Sequence, residues 1–353
     1  MNLKSSAQKN GIVILSVFTA LLFLTSCAST DKERTEFTFS GATMGTSYHI
    51  TIVGSPIDSK GRSAIATSVD SVLLDFNHTL STYEDQSEIS RFNRNKSTDP
   101  IPVTQDFLHV VKWGLELCKS SDGAFDITIM PIVNFFGFGF EPGENRFPTV
   151  DEIDAWLQLT GCDKLDIGDS TLTKYDPRVS VDLSAIAKGE GVDHIAEFLQ
   201  AKGFENVFVE IGGEITTLGT NKEGNPWRIG IDRPIFAGAP GADLQQIIQI
   251  SDLAIASSGD YRNYREVEGK RISHTIDPRT GTPINHNLAS VSVIARTCLE
   301  ADGLATSVMV MGSEEGLIWL ENHDNVEGFL ISREADGTYK EYMTSGFKQY
   351  IVD

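Results

Sequence analysis

Residues 206–219 read NVFVEIGGEITTLG. Apolar and polar residues alternate on both sides of the Gly212-Gly213 pair, the period of a strand with one buried face. Two more strand-like runs follow, WRIGID at 227–232 and LQQIIQIS at 244–251. Upstream, VSVDLSAIAKGEGVDHIAEFLQAKGF (179–204) starts as a strand and becomes a helix that ends at Gly203. Downstream, RISHTIDP (271–278) and LASVSVIA (288–295) read as two further strands. Strands in consecutive runs, with helices between the groups, predict an α+β fold of mainly antiparallel sheets with packed helices.

The N-terminal half fits the same picture. TSYHITIVG (46–54) alternates as a strand. Ile65, Val69, Val72, Leu73, Phe76 and Leu80 fall at helical spacing and predict a helix over 62–80. STYEDQSEISRFNRN (81–95) reads as a polar loop with one helical turn. Residues 104–119 form a second amphipathic helix, stopped by Asp122-Gly123. The last clear helix runs over 298–311.

The 353 residues carry ordinary apolar (40%) and charged (22%) fractions for a globular chain. The formal charge of −20 argues against nucleic acid as a partner, which needs clustered Lys and Arg. An acidic protein that binds an anionic ligand needs a metal ion or local donors to offset repulsion.

Lys4 and Lys9 precede GIVILSVFTALLFL (11–24), an apolar run too short for a comfortable membrane span but suited to a signal peptide. It ends in LTSC (24–27), which resembles the lipobox of bacterial lipoproteins. That resemblance implies a signal peptide over 1–26, diacylation of Cys27 and a lipid-anchored tether over 27–36. The body, 37–353, would then sit in the bacterial cell envelope and face the periplasm. Ala28, where inner-membrane lipoproteins often carry Asp, favours the outer membrane. Loss of two lysines with residues 1–26 takes the mature charge to about −22. Cys118, Cys162 and Cys298 remain, an odd number without CxxC spacing, and are expected to be buried thiols rather than a disulfide framework.

Several segments carry groups suited to chemistry. Thr297 and Glu300 have capping-box spacing at the start of the last helix. Asp302 and Thr306, four apart, share a helix face, where a carboxylate and a hydroxyl can share one hard cation. Asp302 as a simple partner of the helix dipole is the plainer alternative. Gly303 between them costs helix stability, which suits a close approach to the backbone. Asp182 stands at a strand end, His274 alternates along its strand, and the two glycines of EIGGE fit a bulge or a backbone close to a ligand. Residues 40–43, Ser-Gly-Ala-Thr, look like a site at which a threonine hydroxyl is modified.

Eight collinear blocks give these segments a common reading: TMGTSY, LSTYEDQSEISRFN, DGAFDIT, VDLSAIAKGEGVD, VEIGGE, ASSGDYRNY, HTIDPRTGTP and ADGLATSVMVMG. In this order they resemble the ApbE family of FAD:protein FMN transferases. The resemblance implies two lobes enclosing an FAD site and Mg²⁺-dependent transfer of FMN from FAD to a threonine hydroxyl of an acceptor protein, with release of AMP. It implies Mg²⁺ ligands at the Ala185 carbonyl, Asp302 and Thr306. Flavin contacts are implied at Met44, Tyr83, Ala124, Phe125, Asp126, Asp182, Lys188 and Ile276. His274, whose ordinary pKa suits neutral pH, is the candidate base for the threonine hydroxyl. The expected acceptor carries a Ser/Thr-Gly-Ala-Thr-like motif and belongs to a membrane redox complex or an extracytoplasmic electron carrier.

Two alternatives share these residues: a Mg²⁺-dependent FAD pyrophosphatase giving FMN and AMP, and a non-enzymatic flavin-binding lipoprotein. The chain's own Ser40-Gly41-Ala42-Thr43 has Phe37 where acceptors of this kind carry Asp. It also runs straight into the first family block, so it is expected to belong to the flavin pocket through Met44.

Overall fold

A computed structural model of the chain describes residues 34–235, 241–261 and 263–352. The signal-peptide segment and Cys27 lie outside them. Strands β1 (Thr35–Thr43) and β2 (Thr46–Gly54) form the first hairpin. Its two-residue loop, Met44-Gly45, has φ of 49° and 72°, the left-handed pair a tight hairpin turn of this twist needs. β1 starts two residues inside the span expected for the tether.

Helices α1 (Ser59–Leu80) and α2 (Glu88–Arg94) follow. α2 lies where a loop with one helical turn was expected: the Ser87 hydroxyl accepts from Ser90 N–H, and Ile89 and Phe92 are buried. Then come β3 (Ile101–Pro102), α3 (Gln105–Ser120), α4 (Met130–Phe135) and α5 (Val150–Leu157). β4 (Leu165–Ile167) and β5 (Thr171–Lys174) join β3 in a small sheet. Residues 179–186 are irregular rather than the expected strand, and α6 (Ala187–Ala201) begins after them.

β6 (Asn206–Ile211) and β7 (Glu214–Leu218) flank Gly212-Gly213, which form a two-residue hairpin loop with φ of 64° and 108°. β8 (Trp227–Asp232) pairs with β9 (Leu244–Ile250). β10 (Ala254–Gly259) precedes the hairpins β11 (Tyr264–Val267) with β12 (Lys270–Ser273) and β13 (Ile276–Asp277) with β14 (Thr282–Pro283). β15 (Leu288–Ala295), α7 (Cys298–Met311), α8 (Ser313–Glu321), β16 (Glu327–Arg333) and β17 (Tyr339–Met343) follow, and then a 3-10 turn over Phe347–Tyr350. α8 lies beyond the helix expected to be the last.

Eight strands form the central sheet in the order β1-β2-β6-β7-β10-β15-β16-β17, and every pairing is antiparallel. All of β15 is buried because both its faces are covered. Val291, Val293 and Ala295 join the main core, which includes residues of α6 and α7. Ile294 joins a second core with Ile229 and Ile248 of the β8–β9 hairpin. A third cluster gathers Ile132, Phe135, Phe136, Val267, Ile272 and Ile276.

The cysteines depart from expectation. Cys118 and Cys162 form a disulfide across 44 residues, and only Cys298 is a free, buried thiol among the described residues. The fold brings the last turn of α3 beside the loop that precedes β4, a proximity that no local spacing encodes. The odd count is one pair plus one thiol.

Candidate active site

Two hairpin tips and two helix N-termini meet at one end of the central sheet. Antiparallel pairing of β2 with β6 sets the tips side by side, and Gly212 N–H donates to the Ser47 carbonyl at 3.1 Å. Met44 packs on α6: a Cβ on Gly191 would lie 2.6 Å from the Met44 methyl. A left-handed, non-glycine residue at the tip is strain of the kind that gathers at functional sites.

α6 and α7 cap each other. Asp302 Oδ2 accepts from Gly189 N–H at 3.0 Å, in the first turn of α6. Asp193 of α6 accepts from Leu299 N–H at 2.9 Å, in the first turn of α7, and from the Thr216 hydroxyl at 2.7 Å. Both carboxylates thus sit at positive helix ends. Gly189 permits this approach, since a Cβ there would lie 2.4 Å from the Cys298 carbonyl oxygen. Asp302 does serve a helix N-terminus, but that of its neighbour. Gly303 has a different partner from the expected ligand: a Cβ there would lie 2.4 Å from the Trp113 ring.

The capping has a consequence for Ala185. Gly189 N–H would ordinarily bond the carbonyl four residues back. It is taken by Asp302, so among the described residues the Ala185 carbonyl accepts no backbone hydrogen bond. Thr306, on the Asp302 face of α7, has its hydroxyl 3.3 Å from that of Ser258 on β10. The resulting donors are a carboxylate that is 3% exposed, a hydroxyl and an unused carbonyl. Oxygen donors alone suit a hard divalent cation with part of its coordination left open. Among the described residues no three or more His, Cys, Asp or Glu are grouped to hold a metal, so this set relies on one carboxylate.

Lys188 follows on α6, with Nζ 2.5 Å from Glu214 Oε1. Burial would push the Lys188 pKa down, but the Asp302 and Glu214 carboxylates outweigh it and raise it, so the ammonium stays charged. Burial pushes both carboxyls up while Lys188 pulls them down. His274 is near enough to feel Lys188: burial first, then that positive charge, lowers its pKa against a bond to Asn263 that raises it. Its Nδ1 lies 2.9 Å from the Asn263 carbonyl, which can only accept. The proton is therefore on Nδ1, and neutral His274 keeps the lone pair on Nε2. Phe138 stands edge-on to the ring, centroids 6.2 Å apart.

The Asp126 and Asp182 segments run together. Asp182 N–H donates to the Ile127 carbonyl at 2.7 Å, and Asp182 Oδ1 accepts from Ser184 N–H at 2.9 Å. Asp126 Oδ1 accepts from the Thr128 amide and hydroxyl, each at 2.7 Å. Burial raises both carboxyl pKa values. Tyr83 is 70% exposed, a free ring face, yet partial burial of its phenol and the nearby Asp182 charge raise its pKa. Ala124, Phe125 and Ile276 are buried, Phe125 in the main core and Ile276 in the third cluster. Thr43 is 8% exposed, and its hydroxyl accepts from Asn77 Nδ2 at 3.1 Å, which ties the Ser-Gly-Ala-Thr string into the body.

Sequence reasoning missed Asp193, Glu214 and Ser258. Glu214 was next to a legible signal, the paired glycines, whose hairpin turn sets it at the start of β7. The other two had no local mark. Two open clefts, of about 400 and 660 Å³, lie away from Asp302. The smaller is bordered by Ile272 and Pro283, next to the strand that leads to His274.

Comparison with known proteins gives this arrangement a family. The chain belongs to the ApbE family, whose model matches residues 44–330. It is 44% identical to the FAD:protein FMN transferase of Vibrio cholerae over 98% of this chain and 99% of the relative. The corresponding protein of Haemophilus influenzae is 39% identical over 95% and 97%. The solved flavin transferase ApbE from Vibrio cholerae superposes with a TM-score of 0.81 over 90% of this chain and 99% of that one. The apo flavinyl transferase ApbE of Pseudomonas stutzeri, 36% identical, gives 0.79 over 90% and 97%.

Proposed function

We propose that the protein is an FAD:protein FMN transferase that requires Mg²⁺ and joins FMN to a threonine of an acceptor protein. The observation that supports the mechanism is that Asp302, one helical turn before Thr306 on α7, takes the Gly189 N–H in the first turn of α6 and leaves the Ala185 carbonyl without a backbone partner among the described residues. Mg²⁺ held there would offset the charge of the FAD diphosphate and polarise the phosphorus nearer riboflavin.

The chain's own groups account for the rest. Lys188 adds positive charge beside the place proposed for the diphosphate. Asp126 and Asp182 offer acceptor oxygens to amino, imide or hydroxyl groups of FAD, and Tyr83 offers a ring for stacking. Met44 lines the pocket at the hairpin tip. His274 Nε2 takes the proton of the incoming threonine hydroxyl. The threonine oxygen forms a bond to the riboflavin-side phosphorus, the bridging P–O bond breaks, and AMP departs with the electron pair. Phosphoryl-group transfer of this kind asks the protein mainly for positioning and charge neutralisation.

The acceptor is a protein with a Ser/Thr-Gly-Ala-Thr-like motif, presented at the cell envelope, where a lipid on Cys27 would hold the enzyme. AMP release from FAD, followed with and without an acceptor domain, tests the reading. Transfer predicts release that depends on acceptor and Mg²⁺ together. Release that ignores the acceptor would favour the pyrophosphatase instead.

A further inference from the structure

Glu214 has no place in the scheme above, yet it is among the most buried charged residues of the chain, 3% exposed. Its Oε1 meets Lys188 Nζ at 2.5 Å. Its Oε2 is buried and has no hydrogen-bond partner among the described residues. The Gly212-Gly213 turn puts Glu214 first on β7, and the Lys188 stem crosses that turn: a Cβ on Gly212 would lie 3.5 Å from Lys188 Cδ. The direct ion pair of Lys188 is with Glu214, whereas Asp302, the larger of the two charge influences on the ammonium, makes no direct ion pair with it among the described residues.

We propose that Glu214 is a positioning residue of the cation site: it holds the Lys188 ammonium away from Asp302, so that the Asp302 carboxylate stays open to a divalent cation. The inference rests on the metal reading given above. Without Glu214, the buried lysine has one anionic partner left within reach. That partner is the carboxylate the cation needs, so lysine and metal would compete for it. A buried ion pair is weak evidence of a stabilising role, because desolvation offsets much of its attraction. A pair kept only for stability would leave cation affinity alone.

The test is Mn²⁺ binding to the full chain without FAD, read from the electron paramagnetic resonance of the free ion. Glu214→Gln is expected to weaken Mn²⁺ binding about tenfold or more, comparable to the loss of other supporting groups around a metal site. Lys188→Met added to Glu214→Gln is expected to restore the affinity to within about threefold, since the competitor is gone. Lys188→Met alone is expected to bind Mn²⁺ at least as tightly as the wild type, which keeps the inference testable should Glu214→Gln fold poorly. Wild-type affinity in Glu214→Gln, no recovery in the double variant, or weaker binding in Lys188→Met would each overturn this inference alone. A wild-type protein whose Mn²⁺ binding Asp302→Asn leaves unchanged would overturn the metal reading itself, and this inference with it.

Discussion

Replacing Cys118 and Cys162 by alanine, or reducing their bond, should act on stability and on the proposed flavin pocket together. The bond closes a loop across 44 residues. For about 45 residues the chain-entropy relation gives an unfolded-state constraint of about 13 cal/mol/K, or about 4 kcal/mol at 25 °C. A body of about 320 residues unfolds with an entropy near 0.7 kcal/mol/K, so the melting temperature should fall by about 6 °C. The same bond braces the wall that carries Asp126. Gly123 N–H donates to the Cys118 carbonyl at 2.9 Å, on one side of that wall. On the other side Gly161 N–H, next to Cys162, donates at 2.9 Å to the Thr128 hydroxyl, which donates in turn to Asp126 at 2.7 Å. Calorimetry and fluorescence titration of FAD on the oxidised and Cys118→Ala/Cys162→Ala proteins check both effects. A melting shift under 1 °C with unchanged FAD affinity would refute the reasoning.

Three further outcomes follow from single contacts. Gly303→Val places a side chain against Trp113 and Leu117, and such overpacking should cost about 1–3 kcal/mol in urea unfolding. Lys174 is fully buried, donates to the Asn93 and Asn95 carbonyls, and burial pushes its pKa down to about 8. The folded state therefore holds fewer protons than the unfolded chain between pH 8 and the ordinary 10.5, so stability should rise with pH in that window relative to Lys174→Met, by no more than about 1.4 kcal/mol per unit. As the proposed base, His274 could take a proton only when neutral, and burial holds its pKa below the ordinary 6.5. The half-point of the acid fall in turnover should thus lie below pH 6.5, and His274→Gln should lower turnover about 10²–10⁴-fold with FAD binding retained.

The strand and helix segments were legible wherever one face is buried and the other wet. NVFVEIG alternates cleanly because β6 shows one face to the core, and the 62–80 helix shows its apolar stripe. β10 (Ala254–Gly259) was missed, being short and rich in small residues. α2 was read only as a single helical turn within a loop, because seven residues hold too little period to read and its cap is a single serine hydroxyl. Within the site, the Asp302–Thr306 face was visible as an i, i+4 pair. The Gly189 bond that frees the Ala185 carbonyl was not, since it joins residues 113 apart in sequence. The disulfide and the Glu214–Lys188 pair are long-range products of topology in the same sense.

The central claim is covalent transfer, and intact-protein mass spectrometry of a motif-bearing acceptor domain tests it most directly. After incubation with this protein, FAD and Mg²⁺, the acceptor should gain one FMN on its motif threonine. Asp302→Asn or removal of Mg²⁺ should abolish the gain. An acceptor that stays unmodified by wild-type protein, while the same domain is labelled by the Vibrio cholerae relative, would contradict it.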